Sequence, residues 1–131
     1  MGSVFVESKT ILVIDDDAEY RSLLCDILKE AGYKTMTADN GAQGFDRAVK
    51  ELPAMILLDV QMPEMDGYET TEAIRGISQL DATPIILVTV QSKVSEVVKG
   101  LKLGADDHVT KPFHSNEVLV RIESLFKRGR S

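Results

Sequence analysis

Three unbroken apolar runs punctuate the chain: Ile11-Leu12-Val13-Ile14, Met55-Ile56-Leu57-Leu58 and Ile85-Ile86-Leu87-Val88. A weaker one follows at His108-Val109-Thr110. Apolar runs without alternation predict strands covered on both faces, as in a parallel sheet. Lys34-Thr35-Met36-Thr37-Ala38 is a fifth, less apolar candidate that suits an edge position.

Helical spacing fills the intervals. Tyr20, Leu23, Leu24, Ile27, Leu28 and Ala31 repeat at i, i+3, i+4, i+7, and Gly32 marks the stop. Phe45, Ala48, Val49 and Leu52 form a second stripe, closed by Pro53. Asp66-Gly67-Tyr68-Glu69 has capping-box spacing and opens a third helix towards Ile74 and Ile77. Val94, Val97, Val98 and Leu101 make a fourth stripe, ended by Gly104; Ser115 can cap a fifth helix, with Val118, Ile122, Leu125 and Phe126 inward.

Strand and helix thus alternate five times, the pattern of a doubly wound α/β domain with a parallel sheet. At 131 residues the chain has room for one domain. One cysteine, Cys25, excludes a disulfide framework and a Cys-based zinc cluster. A formal charge of −6 argues against nucleic acid as the primary ligand, because phosphate neutralisation needs clustered Lys and Arg. No apolar run is long enough to span a bilayer and no signal peptide precedes the first strand, so a cytoplasmic setting without membrane contact is expected. Met1-Gly2-Ser3 fits a cloning remnant.

In open parallel sheets ligands bind beyond the carboxyl ends of the strands, where strand order reverses. The first run ends in Asp15, Asp16 and Asp17, the Met55–Leu58 run in Asp59, the Ile85–Val88 run in Thr89 and the last in Lys111. With order 2-1-3-4-5 these groups converge. Clustered carboxylates repel, and they relieve the repulsion by raising a pKa or binding a cation. An all-oxygen set without nearby Cys or His favours Mg²⁺, which accepts substrate phosphate. A lysine and a threonine hydroxyl opposite it describe a phosphoryl-transfer pocket in which an aspartate can be the nucleophile.

Four stretches, in order and after the right runs, carry a resemblance: Ile11 to Asp17, Leu58-Asp59-Val60-Gln61-Met62-Pro63-Glu64-Met65-Asp66-Gly67, Val88-Thr89, and Gly104-Ala105-Asp106-Asp107 leading to Thr110-Lys111-Pro112-Phe113. Over residues 9–128 the chain resembles the receiver domain of a two-component response regulator, a flavodoxin-like (βα)5 fold; residues 1–8 would be an extension and 129–131 a tail or linker start. The resemblance implies that Asp59 accepts a phosphoryl group from a phosphohistidine of a sensor histidine kinase or phosphotransfer protein. It implies Mg²⁺, with Mn²⁺ as substitute, held by Asp16, Asp59 and the backbone carbonyl of Gln61, with Asp15 acting through water. Lys111 would pair with a phosphoryl oxygen, and Thr89 and His108 would turn inward as the switch. The product would be an altered surface on the fourth helix, fifth strand and fifth helix, read by an output domain or partner protein. The domain would catalyse only its own modification and not act as an enzyme on a separate substrate. The resemblance also implies a cis Lys111-Pro112 peptide.

Several residues depart from the pattern. His108 stands where Tyr or Phe is usual, and Val90 where Ala is usual, adding two methyl groups at the pocket mouth. Gln61 and Gln91 occupy the two variable positions that tune autodephosphorylation. Asp107, Glu117 and Arg121 match charges of a phosphorylation-dependent homodimer, whereas Val97 replaces a basic residue expected there.

Plainer readings stand beside these. Asp16 or Asp17 can cap the first helix, His114 reads as solvated or capping, and Cys25 as a small core residue. Two other functions share the architecture. An aspartyl-nucleophile, metal-dependent phosphatase needs a second Asp two residues after the nucleophile, where this chain has Gln61. A flavin module needs a hydroxyl-rich loop after the first strand, where three acids stand.

Overall fold

A computed structural model describes residues 9–129. The extension 1–8 and residues 130–131 of the tail lie outside the described residues. The strands are β1 (Thr10–Ile14), β2 (Lys34–Ala38), β3 (Met55–Leu58), β4 (Ile85–Thr89) and β5 (Asp107–Thr110). They alternate with α1 (Ala18–Glu30), α2 (Gly41–Glu51), α3 (Gly67–Arg75), α4 (Val94–Leu103) and α5 (Ser115–Arg128), and a short 3₁₀ turn spans Ser78–Leu80. All pairs are parallel and the order is β2-β1-β3-β4-β5, as the alternation predicts.

Successive side chains of a strand point to opposite faces, so each apolar run feeds two cores. Leu12, Ile14, Ile56, Leu58, Ile85 and Leu87 pack with Ala48, Tyr68 and Ile74 from α2 and α3. Ile11, Val13, Leu57, Ile86 and Val88 pack on the other face with Leu24, Cys25 and Leu28 of α1 and Val118, Ile122 and Leu125 of α5. β2, at the edge, buries only Ala38 fully.

The helix starts follow local chemistry. Asp17, not Asp16, caps α1, accepting from the N–H of Glu19 at 2.9 Å and of Tyr20 at 3.3 Å. Asp66 and Glu69 form the reciprocal capping box expected for α3. Ser115 does not cap α5: it is the first helical residue, and His114 holds the cap position without a side-chain hydrogen bond. Gly32 and Gly104 end their helical turns with φ of +98° and +117°, conformations that an L side chain rarely adopts.

Three stripes need correction. In α1, Leu23 and Ala31 face solvent. In α2, Val49 and Leu52 are exposed, and Gly41, Gly44 and Ala48 form the buried seam. In α4 the valine stripe does not enter the core: Val94, Val98 and Leu101 are exposed, and Gly100 alone is fully buried. A Cβ at Gly100 would collide with the Leu87 side chain, so its absence lets the helix lie directly on β4. Contact is made through the smallest residue and, at the carboxyl end, through the partly buried Leu103, while Val94, Val98 and Leu101 point away.

Arg75, the last residue of α3, fastens the turns around α4. Its guanidinium donates to the carbonyls of Gly104 (3.0 Å), Leu80 (2.9 Å) and Thr83 (2.8 Å), and to the carboxylate of Asp106 (3.1 Å). Asp106 in turn accepts the N–H of Ile85 at 2.8 Å.

Candidate functional site

Register brings the acids together. Ile14 pairs with Leu58, so the residues that follow, Asp15 and Asp59, leave neighbouring strands side by side, and the Asp59 N–H donates to the Ile14 carbonyl at 2.9 Å. Thr89 pairs with Thr110, which places Lys111 one residue beyond at the same end of the sheet. Gly67 lets α3 start directly behind the acid loop: a Cβ there would collide with the Asp59 carbonyl.

Lys111 is the hub. Its ammonium donates to Asp15 Oδ2 at 2.7 Å and Asp59 Oδ2 at 3.3 Å, with all three side chains buried. Asp15 Oδ1 accepts the Asp17 N–H at 2.9 Å, and Asp59 Oδ1 accepts the Gln61 N–H at 3.3 Å. Asp16 is exposed, yet one carboxylate oxygen from each of Asp15, Asp16 and Asp59 lies within 4.8 Å of the others. Three hard oxygen donors at that spacing fit a hydrated Mg²⁺.

The electrostatics match. Burial raises the Asp59 pKa above the usual carboxylate value and the Asp15 charge adds to this, against the opposing pull of Lys111. Burial alone would lower the Lys111 pKa, but its hydrogen bond to Asp15 and the charges of Asp59 and Asp15 leave it raised. Two carboxylates share one cation here, so the site holds uncompensated negative charge that a divalent ion can satisfy.

The remaining expected residues line the rim. Thr89 is fully buried, its hydroxyl accepting the Gln91 N–H at 3.3 Å. His108 is half-buried on β5; burial lowers its pKa, opposed by a hydrogen bond to the Gln91 backbone and by the Asp107 charge. Val90 is exposed, as is the Gln61 side chain. The Lys111-Pro112 peptide is cis. The three charges matched to a dimer are paired within the chain: Arg121 bridges Asp107 at 2.9 Å and Glu117 at 3.6 Å.

Two features escaped the sequence reading. Glu64 has a φ of +67°, a left-handed turn between Pro63 and the Asp66 cap that Gly or Asn would have advertised. Tyr20, which its periodicity assigns to the α1 core stripe, sets its ring 4.2 Å from the Lys111 ammonium. That contact joins the first helix to the last strand, and no local pattern encodes it.

Comparison with known proteins decides the family. The profile of the response regulator receiver domain matches residues 11–123. The chain belongs to that family. It is 38% identical over 122 residues to the alkaline phosphatase synthesis transcriptional regulatory protein PhoP of Bacillus subtilis, covering 93% of this chain and 50% of the relative. It is 39% identical over 123 residues to a probable transcriptional regulator ycf27 of Porphyra purpurea, covering 94% and 49%. This receiver chain therefore spans about half the length of the curated relatives it matches. Among solved structures, the chemotaxis protein CheY4 of Vibrio cholerae superposes with a TM-score of 0.85 at 31% identity, over 89% of this chain and 98% of that one. A response regulator from Chloroflexus aurantiacus gives 0.87 at 30%, over 91% and 98%. The chain is a signalling receiver of the two-component class, and the phosphatase alternative gains no support.

Proposed function

We propose that this receiver accepts a phosphoryl group on Asp59 from the phosphohistidine of a sensor histidine kinase or phosphotransfer protein, and that residues 9–128 are the unit that does so. The observation that carries the reading is the clustering of Asp15, Asp16 and Asp59 within 4.8 Å of one another, with the buried ammonium of Lys111 bonded to Asp15 and Asp59.

An Asp59 carboxylate oxygen forms the new bond to phosphorus as the phosphorus–nitrogen bond of the donor breaks, and the imidazole leaves with the bonding electrons and takes up a proton. Asp16, Asp59 and the Gln61 carbonyl would hold Mg²⁺ directly and Asp15 through water, with Mn²⁺ as a substitute. Bound there, the cation supplies charge neutralisation for the phosphoryl oxygens. Lys111 moves from the two carboxylates to a phosphoryl oxygen and offsets charge on the opposite side. Thr89 releases the Gln91 N–H and donates to another phosphoryl oxygen. His108 then leaves the Gln91 backbone and turns inward, which changes the surface of α4, β5 and α5.

That surface controls an output domain in the same chain or a partner protein. In a phosphorylation-dependent homodimer, Asp107, Glu117 and Arg121 exchange their internal partners for those of a second copy. The domain modifies itself and does not turn over a separate substrate. No helix among the described residues is long and apolar enough to cross a membrane, and we place the domain in the cytoplasm, without membrane or direct nucleic-acid contact.

Incubation with a small phosphodonor and Mg²⁺ gives a mass gain in the wild-type chain, lost with EDTA and in Asp59→Asn. A gain that survives Asp59→Asn removes Asp59 as the acceptor.

A further inference from the structure

We infer that Tyr20 is a positioning residue for the phosphoryl transfer: its ring face holds the Lys111 ammonium while the ammonium changes partners. The inference rests on the assignment of Asp59 and Lys111 above and adds a residue on a different helix.

A lysine ammonium has three N–H donors. Asp15 and Asp59 are its two hydrogen-bond acceptors among the described residues, and they are unequal, at 2.7 and 3.3 Å. The Tyr20 ring meets the ammonium at 4.2 Å, well inside the range of a cation–π contact, and the lysine side chain is 5% exposed, so the contact is made out of water. The surroundings of the ring are set by its place in the fold. The Asp17 carboxylate that caps α1 accepts the Tyr20 backbone N–H, so Tyr20 leaves the main chain in the first turn after the acid loop. On the other side, Tyr20 and Phe113 meet at 5.9 Å between centroids, tilted by 51°. Phe113 lies two residues past Lys111, so the ring that meets the ammonium is itself packed against the segment that carries the lysine.

The consequence is chemical. In the resting site the shorter of the two bonds is to Asp15, and the ammonium gives it up to turn to a phosphoryl oxygen on Asp59. A hydrogen bond binds the ammonium in one direction, whereas a ring face attracts it over a broad area. The ammonium can let go of Asp15 and reach the phosphoryl group without losing the ring, and the ring keeps water from that side of the acyl phosphate.

The experiment uses the whole chain with acetyl phosphate and Mg²⁺, following the rate of mass gain. Tyr20→Phe and Tyr20→Trp, which keep a ring face, stay within about twofold of wild type, and Tyr20→Leu slows about fivefold to tenfold. Tyr20→Met, which fills similar space without a ring, falls with Tyr20→Leu and carries the test should the leucine variant not fold. In a Lys111→Met background the Tyr20→Leu change adds nothing, because the group it acts through is gone. An unchanged rate in both ring-less variants overturns the inference. So does a Tyr20→Phe loss as large as that of Tyr20→Leu, which would assign the effect to the hydroxyl. An undiminished Tyr20→Leu effect in the Lys111→Met background overturns it equally, by showing plain packing. If the wild-type chain itself gains no mass, the Asp59 assignment falls instead.

Discussion

Helices α4 and α5 come before and after β5 in the chain, and they are fastened in different ways. α5 buries Val118, Ile122 and Leu125 along about two turns. Full burial of such a side chain contributes roughly 1.5–3 kcal/mol, so α5 is held along most of its length. α4 fully buries only Gly100, and Val94, Val98 and Leu101 remain 78%, 40% and 45% exposed. Point contacts replace the seam. Gly100 seats against Leu87, the Tyr68 hydroxyl donates to Glu96 Oε2 at 2.8 Å, and the Lys99 ammonium lies 4.5 Å from the Tyr68 ring. An element held by a few separable contacts opens at lower free energy than one held by a continuous apolar face. In a signalling domain, the loosely seated helix is the one able to move.

The largest effect belongs to α5: Ile122→Ala costs about 2–5 kcal/mol in urea unfolding, from lost burial and the cavity left behind. Next comes Gly100→Val, whose branched side chain meets Leu87 and costs about 1–3 kcal/mol in thermal melts. Tyr68→Phe costs about 1 kcal/mol. It sharpens the contrast because amide exchange should quicken in α4 and stay unchanged in α5. The same tyrosine gives a pH signature. Burial and the Glu96 hydrogen bond push its pKa up to about 12, from 10.0. The unfolded chain therefore loses this proton before the folded one, and the stability held by the neutral phenol is present below pH 10 and lost towards pH 12. Ultraviolet titration should show a late phenolate step that Tyr68→Phe removes. The smallest effect is Val94→Ser, within about 0.5 kcal/mol of wild type. Equal losses for Val94→Ser and Ile122→Ala would erase the distinction between the helices.

That contrast also marks how far the sequence could be read. The stripes of α4 and α5 both follow helical spacing, and both are helices. Periodicity shows that a helix has an apolar face; it does not show which face meets the sheet. In α5 the two coincide. In α4 the contact face is marked by the absence of a side chain at Gly100, and that is legible only once Leu87 is known to stand opposite. The strands were easier, because a run such as Ile85 to Val88 has one arrangement that buries every residue. The site was legible for a related reason: Asp15, Asp59 and Lys111 each follow a strand and Thr89 ends one, and parallel register carries all the carboxyl ends of the strands to one side. Asp17 and Ser115 differ because capping depends on backbone geometry at a single residue, which composition does not fix. The turn at Glu64 and the contact of Tyr20 with Lys111 come from tertiary packing and leave no trace in spacing.

The Arg75 guanidinium gives α4 two unlike ends. It grips the Gly104 carbonyl at the carboxyl end, together with the entry to β4 and the Asp106 side chain. The amino end is held by the Tyr68 hydroxyl, which donates to Glu96. Built this way, the helix is held more firmly at Gly104 than at the end that follows Thr89. A spin label at Val94 should travel farther on phosphorylation than one at Lys102, so a small rearrangement at the pocket reaches the outer surface enlarged.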